Sequence, residues 1–231
     1  MFPMSIFEET ILLTGFGPFP GASKNPSDLL AKAMSERQTS PLLARCELIG
    51  ASLPTHWQNV RPALTSLLAR HRPQIILHIG YASTSPGFQL ETTAYNRTCD
   101  NPDIEGVSGT CAPILMDGPA LIKNTLLLET MATRLVDAGF SSRTSDNPGL
   151  YLCNMAYYLS LCHALGCSKA YPIARHHSCL FVHIPALETD DGLLPQEEEG
   201  DNRLTLEDAC ARLELLLEEL IKAHVPSREL A

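Results

Sequence analysis

Cys153 sits in the stretch of this 231-residue chain best suited to making a side chain reactive. In Asp146-Asn147-Pro148-Gly149-Leu150-Tyr151-Leu152-Cys153-Asn154 a turn signal leads through three apolar residues to the cysteine. Met155 to Leu165 then reads as a largely apolar helix. Cys153 is therefore expected at or near a helix N-terminus, where unpaired N–H groups and the positive end of the helix dipole favour thiolate over thiol. A thiolate nucleophile works with a histidine that takes and returns a proton and with a third group that orients the histidine. His183 and Glu91 are suitable partners, each placed by its local pattern on a strand and near its end. Read alone, the cysteine stretch also describes a buried structural cysteine in a strand-to-helix turn.

The elements that must hold these groups alternate along the chain. Ile11 to Thr14 reads as a buried strand that runs into Gly15-Phe16-Gly17-Pro18-Phe19-Pro20-Gly21, a rigid loop whose two phenylalanines fit no strand or helix period. The loop lacks the third glycine of a dinucleotide fingerprint, and Pro18 removes a backbone donor. Asn25 is expected to cap a helix through about Arg37, with Pro26 at its first position. Leu42 to Leu53 suits a strand. Trp57 to His71 suits an amphipathic helix with Val60, Leu64, Leu67 and Leu68 on one face.

Pro73 to Gly80 reads as a strand covered on both sides, with His78 as a hydrogen-bonded core histidine rather than a site residue. Phe88 to Asn96 is expected as one further strand, with Leu90, Thr92 and Ala94 on one side. Arg97 to Pro119 is the longest irregular stretch, of a length that tends to be functional. Leu121 to Ala138 reads as one long helix stopped by Gly139. Ser178 to Pro185 is an internal strand ended by proline, with His183 where it runs out. Asp190 to Asn202 is expected as an acidic exposed loop, and Leu204 to His224 as an amphipathic helix capped by Thr205. This alternation is the signature of a layered α/β domain. One domain over residues 1–231 is expected, with a leader at 1–8 and a core at 9–224.

Composition narrows the partners. An apolar fraction of 45% is that of a globular chain, and no apolar run approaches the roughly 18 residues of a membrane span. The first residues show no secretory signal, so a cytoplasmic protein is expected, with its eight cysteines as thiols. A net charge of −9 argues against nucleic acid and anionic membranes as partners. Small molecules or peptides remain. His176, His177, Cys179 and His183 follow no tetrahedral zinc spacing.

Four blocks taken together resemble a known family. Leu12-Leu13-Thr14-Gly15-Phe16-Gly17-Pro18-Phe19 with Asn25-Pro26-Ser27 comes first, then Glu91 ahead of Ala94-Tyr95-Asn96. Gly149-Leu150-Tyr151-Leu152-Cys153-Asn154 and Phe181-Val182-His183-Ile184-Pro185 follow. Their order and separations are similar to those of the pyroglutamyl peptidase I (pyrrolidone-carboxylate peptidase) family of cysteine peptidases, from about Ile11 to the last helix.

The resemblance implies a three-layer α/β/α sandwich with a mostly parallel central sheet. It implies Cys153 as nucleophile, His183 as general base and then acid, and Glu91 as the carboxylate orienting the imidazole. The implied reaction removes an N-terminal pyroglutamyl residue from small peptides by acyl transfer to the cysteine and then to water, with no metal or cofactor. Phe16 and Phe19 match phenylalanines that sandwich the pyrrolidone ring. With Tyr81 and Asn25 they form the expected substrate-binding set. A homodimer or homotetramer is also implied.

Two positions depart from the family pattern. Tyr81 follows Gly80 where a glutamine is usual, and Asp100 and Asn101 stand near the place of an arginine about ten residues past the glutamate, with Arg97 the nearest cation. A thiol hydrolase acting on another small cyclic amide or acyl group, and a binding module without catalysis, are the alternative readings on the same fold.

Overall fold

Ile11, Leu12 and Leu13 lie in the first strand, β1 (Glu9–Phe16), and all three are wholly buried. A strand buried on both sides needs helices over both faces. The computed structural model describes residues 8–20, 22–37, 40–188 and 203–224, and within them the chain supplies both layers. β2 (Cys46–Leu53), β3 (Ile75–Tyr81), β4 (Phe88–Glu91), β7 (Ser142–Ser145) and β8 (Ser178–Ile184) join β1 in a six-stranded sheet of order β2-β1-β3-β8-β4-β7. Every neighbouring pair is parallel except β4 against β8.

Side-chain alternation divides the core into two layers. Ile11, Leu13, Leu77 and Val182 pack under α1 (Pro26–Ser35), α3 (Leu128–Asp137) and α5 (Leu206–His224). Leu12, Ile76, Cys179 and Phe181 pack under α2 (Val60–His71) and α4 (Leu152–Leu165). The result is a single α/β/α domain. His183 falls on the same face of β8 as Cys179 and Phe181, toward α4.

The local signals explain several boundaries. The Asn25 side chain accepts from Ser27 N at 3.1 Å, with Pro26 at the first position of α1. Thr205 caps α5 by accepting from Asp208 N at 3.0 Å. Gly166, at φ 65°, closes α4 in the left-handed conformation that glycine adopts without strain. α4 carries no polar face because it is covered on nearly all sides. His78 is a core residue, as expected: Nδ1 lies 2.6 Å from Thr14 Oγ1 and Nε2 lies 2.8 Å from Ser160 Oγ. Burial, with the nearby His177, pulls His78 down to about 3.

Four expectations are corrected. Phe88 to Asn96 is two strands, because the chain leaves the main sheet at Thr92 and β5 (Thr93–Tyr95) pairs antiparallel with β6 (Leu121–Lys123). The residues read as the start of a helix at Leu121 are therefore strand. Asn124 ends that strand: its Oδ1 accepts from Leu126 N at 2.9 Å, and its amide donates to Tyr157 Oη at 2.7 Å and to Cys179 O at 2.8 Å. A side chain committed to such a turn starts the helix afresh at Leu128. The segment from Leu42 opens with a short 3₁₀ turn, Leu43–Arg45, before β2. α2 begins at Val60, because Trp57 N is drawn to the Asp103 carboxylate at 3.2 Å. Most of the expected leader and the acidic segment 190–202 lie outside the described residues.

Candidate active site

The turn before α4 puts Cys153 at the second position of the helix. Gly149 takes φ 73°, its N–H donates to Asn147 Oδ1 at 3.2 Å, and Tyr151 is the extended N-cap residue. No side chain caps the helix, so its first N–H groups are left without a side-chain acceptor. Leu152 and Asn154, on either side, are fully buried, while Cys153 is half-buried.

β4 and β8 bring the other two groups together. Gln89 and Leu90 pair with His183 and Val182 across the sheet's antiparallel step. That step sets the end of β4 beside the end of β8, and Glu91 Oε1 lies 2.8 Å from His183 Nδ1. Glu91 is wholly buried, and its Oε2 has no hydrogen-bond partner among the described residues. Tyr157 on α4 donates to the Glu91 carbonyl at 2.7 Å, which ties the cysteine's helix to the glutamate's strand.

Burial opposes a charge on His183, but hydrogen bonds to Cys153 and Glu91 and the negative charge of both outweigh it and raise the imidazole to about 9. Glu91 and His183 are thus hydrogen-bonded, and Cys153 lies near enough to His183 to shift it. Cys153 and His183 can share a proton as a thiolate–imidazolium pair, the form in which a cysteine attacks a carbonyl.

Gly80 stands opposite His183 in the β3–β8 register. A Cβ at residue 80 would lie 2.9 Å from His183 Cδ2 and 2.7 Å from the Phe181 ring. Gly80→Ala is expected to displace the imidazole from Glu91, slow alkylation of Cys153 at pH 7 at least several-fold, and cost about 1–3 kcal/mol of stability. Timed iodoacetamide labelling and a denaturant melt would check this, and labelling at the wild-type rate would show that the ring tolerates the methyl.

Cys153 opens onto a cavity of about 320 Å³ whose wall also includes Phe16, Phe19, Asn25 and Tyr81. All four expected substrate-binding residues therefore meet there, in different ways. Phe16 is 3% exposed and packs on Phe181 at a 6.4 Å centroid distance, so it forms a floor. Phe19 and Tyr81 lean on each other at 5.9 Å. Asn25 commits its polar atoms to the loop, donating to Gly17 O at 3.0 Å and accepting from Ser27, and so holds the phenylalanine loop in place.

The irregular stretch from Arg97, expected to be functional from its length, supplies the opposite wall. Residues 97–113 fold back as an irregular hairpin: Thr98 N donates to Ala112 O at 3.0 Å, Asp103 N to Val107 O at 2.9 Å, and Pro102 bridges Ser108. Trp57 Nε1 donates to Asn101 O at 2.9 Å, Tyr151 Oη to Pro102 O at 2.9 Å, and Cys99 N to Leu150 O at 3.0 Å. Asn101 and Pro102 are thereby set on the cavity. Asn154 fastens the root of the hairpin, accepting from Tyr95 N at 2.8 Å and donating to Tyr95 O at 2.8 Å and Arg97 O at 3.0 Å. A single asparagine near the start of an otherwise apolar helix was the signal available for it.

Arg97 lines a separate cleft with Met116, Asn147 and Leu150. Among the described residues no charged side chain lines the Cys153 cavity. No group of three or more His, Cys, Asp or Glu among them could hold a metal ion, and all eight cysteines are unbridged.

Comparison with known proteins gives this geometry a relationship. The profile of the pyroglutamyl peptidases matches residues 9–222. The chain belongs to the pyroglutamyl peptidase family. It is similar to the pyrrolidone-carboxylate peptidase of Gloeobacter violaceus, 31% identical over 211 residues, covering 91% of this chain and 96% of that one. It is 30% identical to that of Pyrococcus furiosus over 176 residues, 76% of this chain and 80% of the relative. Among solved structures it resembles the pyrrolidone carboxyl peptidase of Thermococcus litoralis, with a TM-score of 0.78, 26% identity and coverage of 93% of this chain and 94% of that one. The pyroglutamyl peptidases are enzymes, and the α/β/α architecture with a mostly parallel sheet is the fold shared with these solved relatives.

Proposed function

We propose that the protein hydrolyses the bond after an N-terminal pyroglutamyl residue of small peptides, with Cys153, His183 and Glu91 as its catalytic triad. The observation that carries the reading is the Glu91–His183–Cys153 relay standing beside an uncharged, aromatic-walled cavity. A pyrrolidone ring is neutral and flat, and suits such a cavity. A free N-terminal ammonium would need a carboxylate there, and none of the described residues lining it is one.

In the proposed reaction the Cys153 thiolate attacks the pyroglutamyl carbonyl carbon. A C–S bond forms, and the oxygen takes the negative charge, facing the N–H groups that begin α4. His183 passes its proton to the leaving amine as the C–N bond breaks, which leaves a thioester. Water then attacks the thioester while His183 accepts its proton, and pyroglutamate departs as the thiol is restored. Glu91 keeps Nδ1 as the donor toward itself, so that Nε2 serves the reaction.

Purified protein is expected to release a fluorophore from a pyroglutamyl amide, to lose that activity on stoichiometric iodoacetamide labelling of Cys153, and to keep it in a chelator. No turnover while Cys153 is still rapidly labelled would favour a hydrolase of another small cyclic amide. Labelling as slow as that of a simple exposed thiol would favour a binding module.

The pH dependence follows from His183. Its pKa is raised from 6.5 to about 9, so the proton needed by the leaving amine is lost as pH rises through about 9. The stability contributed by its pairing is likewise complete below pH 6.5 and lost through the same alkaline range. A profile of kcat/KM is expected to fall on its alkaline side near there, and an alkaline limb close to pH 7 would contradict the pairing.

No helix among the described residues is long and apolar enough to cross a membrane. Eight unbridged thiols support a reducing compartment, the cytoplasm, as the site of action.

A further inference from the structure

Glu91 must keep one place to orient His183, yet its carboxylate does not fix it there. Oε1 has His183 Nδ1 as its partner at 2.8 Å, and Oε2 has none among the described residues. The pairing of β4 with β8 covers Gln89 and Leu90 and goes no further. The glutamate therefore stands at the end of a strand, and its main-chain carbonyl is taken by the Tyr157 hydroxyl at 2.7 Å. The direction of that bond is set from behind. Asn124 Oδ1 accepts from Leu126 N at 2.9 Å, and its amide nitrogen donates to Cys179 O at 2.8 Å, so the same nitrogen meets Tyr157 Oη at 2.7 Å as a donor. The hydroxyl must then direct its own hydrogen at the Glu91 carbonyl. Burial holds Tyr157 well above the usual tyrosine range, so that hydrogen stays on the oxygen through neutral and mildly alkaline pH. Asn124 N also donates to Thr92 O at 2.8 Å and so holds the residue after Glu91. Tyr157 lies four residues past Cys153 on α4, on the same side of the helix. Its ring packs on Phe181 at 5.8 Å, and Phe181 packs on the His183 ring at 4.8 Å.

We infer that Tyr157, directed by Asn124, is a positioning residue of the relay: its hydroxyl sets Glu91 against His183 through the main chain and ties both to the helix that carries Cys153. The inference rests on the triad proposed above. Tyr157 itself touches no reacting atom. The next residue provides a comparison, because Tyr158 is as fully buried and its hydroxyl donates to Pro119 O at 2.8 Å. Tyr158→Phe removes a buried hydrogen bond of the same kind, but away from Glu91. In both cases phenylalanine fills the same space, so the fold is kept.

The test compares Tyr157→Phe with Tyr158→Phe in the full chain. Each loses a buried tyrosine–carbonyl hydrogen bond, so both are expected to melt a few degrees early. Only Tyr157→Phe is expected to lower kcat for a pyroglutamyl amide, about 10- to 30-fold with KM within about twofold, because a pairing needed in the transition state is loosened. Two further readouts need no substrate. In Tyr157→Phe alone, iodoacetamide is expected to label Cys153 several-fold more slowly at pH 7. The NMR titration of its His183 ring is expected to fall below about 9, because Cys153 and Glu91 are the groups that raise it. A Tyr157→Phe protein that matches Tyr158→Phe in rate, labelling and titration would overturn the inference, as would an effect confined to KM. If wild type cleaves no pyroglutamyl amide, yet Tyr157→Phe still shifts His183 and slows labelling, the reaction proposed above fails and the positioning role stands. If wild type cleaves the amide and Tyr157→Phe does so equally well, only the positioning role fails.

Discussion

Glu91→Gln lowers kcat by about 10³- to 10⁴-fold and shifts the melting temperature by only a few degrees. The substitution keeps the shape of a wholly buried side chain and removes what its shape does not supply. In the native protein Glu91 Oε1 accepts from His183 Nδ1 at 2.8 Å, which fixes the imidazole tautomer and favours its charged form. A glutamine that turns its amide nitrogen toward Nδ1 forces that nitrogen to accept, and the reactive Nε2 then carries the wrong proton. Loss of the carboxylate also removes one of the two anions that raise His183, so the alkaline limb of the rate moves to lower pH. The stability effect stays small because the glutamine fills the same space and Oε2 already lacks a partner. Steady-state kinetics beside a thermal melt separate the two effects. A protein that melts much earlier but turns over almost as fast would make Glu91 a structural residue.

Cys153→Ala removes the nucleophile, and turnover of a pyroglutamyl amide falls by about 10⁵- to 10⁶-fold. The half-buried thiol leaves little empty space, so the fold persists. The second expected effect is on His183, whose titration drops below about 9 because the hydrogen bond and charge of Cys153 are gone. Glu91 remains, so the imidazole stays above its ordinary range only in part. An NMR titration of the His183 ring reads this directly. An unmoved titration would mean that Cys153 and His183 are not electrically paired, and the mechanism would lose its base.

The parts of this arrangement that could be read from sequence share a physical cause. β1, β3 and β8 are buried on both faces, so their residues are apolar without interruption and stand out from any helical period. Cys153 and His183 lie where such elements begin or end, and the turn Asn147-Pro148-Gly149 marks the start of α4 in plain residue types. Thr92 was different: alternation from Phe88 to Asn96 is unbroken in residue type, and only the hydrogen bonds of Thr92 N to Ser145 O and Asn124 N to Thr92 O show that the chain changes sheets there. Leu121 to Lys123 misled in the same way, since apolar residues before a helix look like its first turn. β7, Ser-Arg-Thr-Ser, has almost no strand signal and exists because β4 offers it an edge. The role of Asn154 is hidden in the sequence because its backbone partners lie far along the chain.

The hairpin that walls the cavity is held by main-chain atoms: the carbonyls of Asn101, Pro102 and Arg97 and the N–H of Cys99 all have partners elsewhere. The Asp103 carboxylate adds to them, accepting from Trp57, Glu105 and Val107 N. Residue 101 takes part in the wall through its carbonyl alone, so its side chain can change without unravelling the wall while the relay behind Cys153 stays as it is.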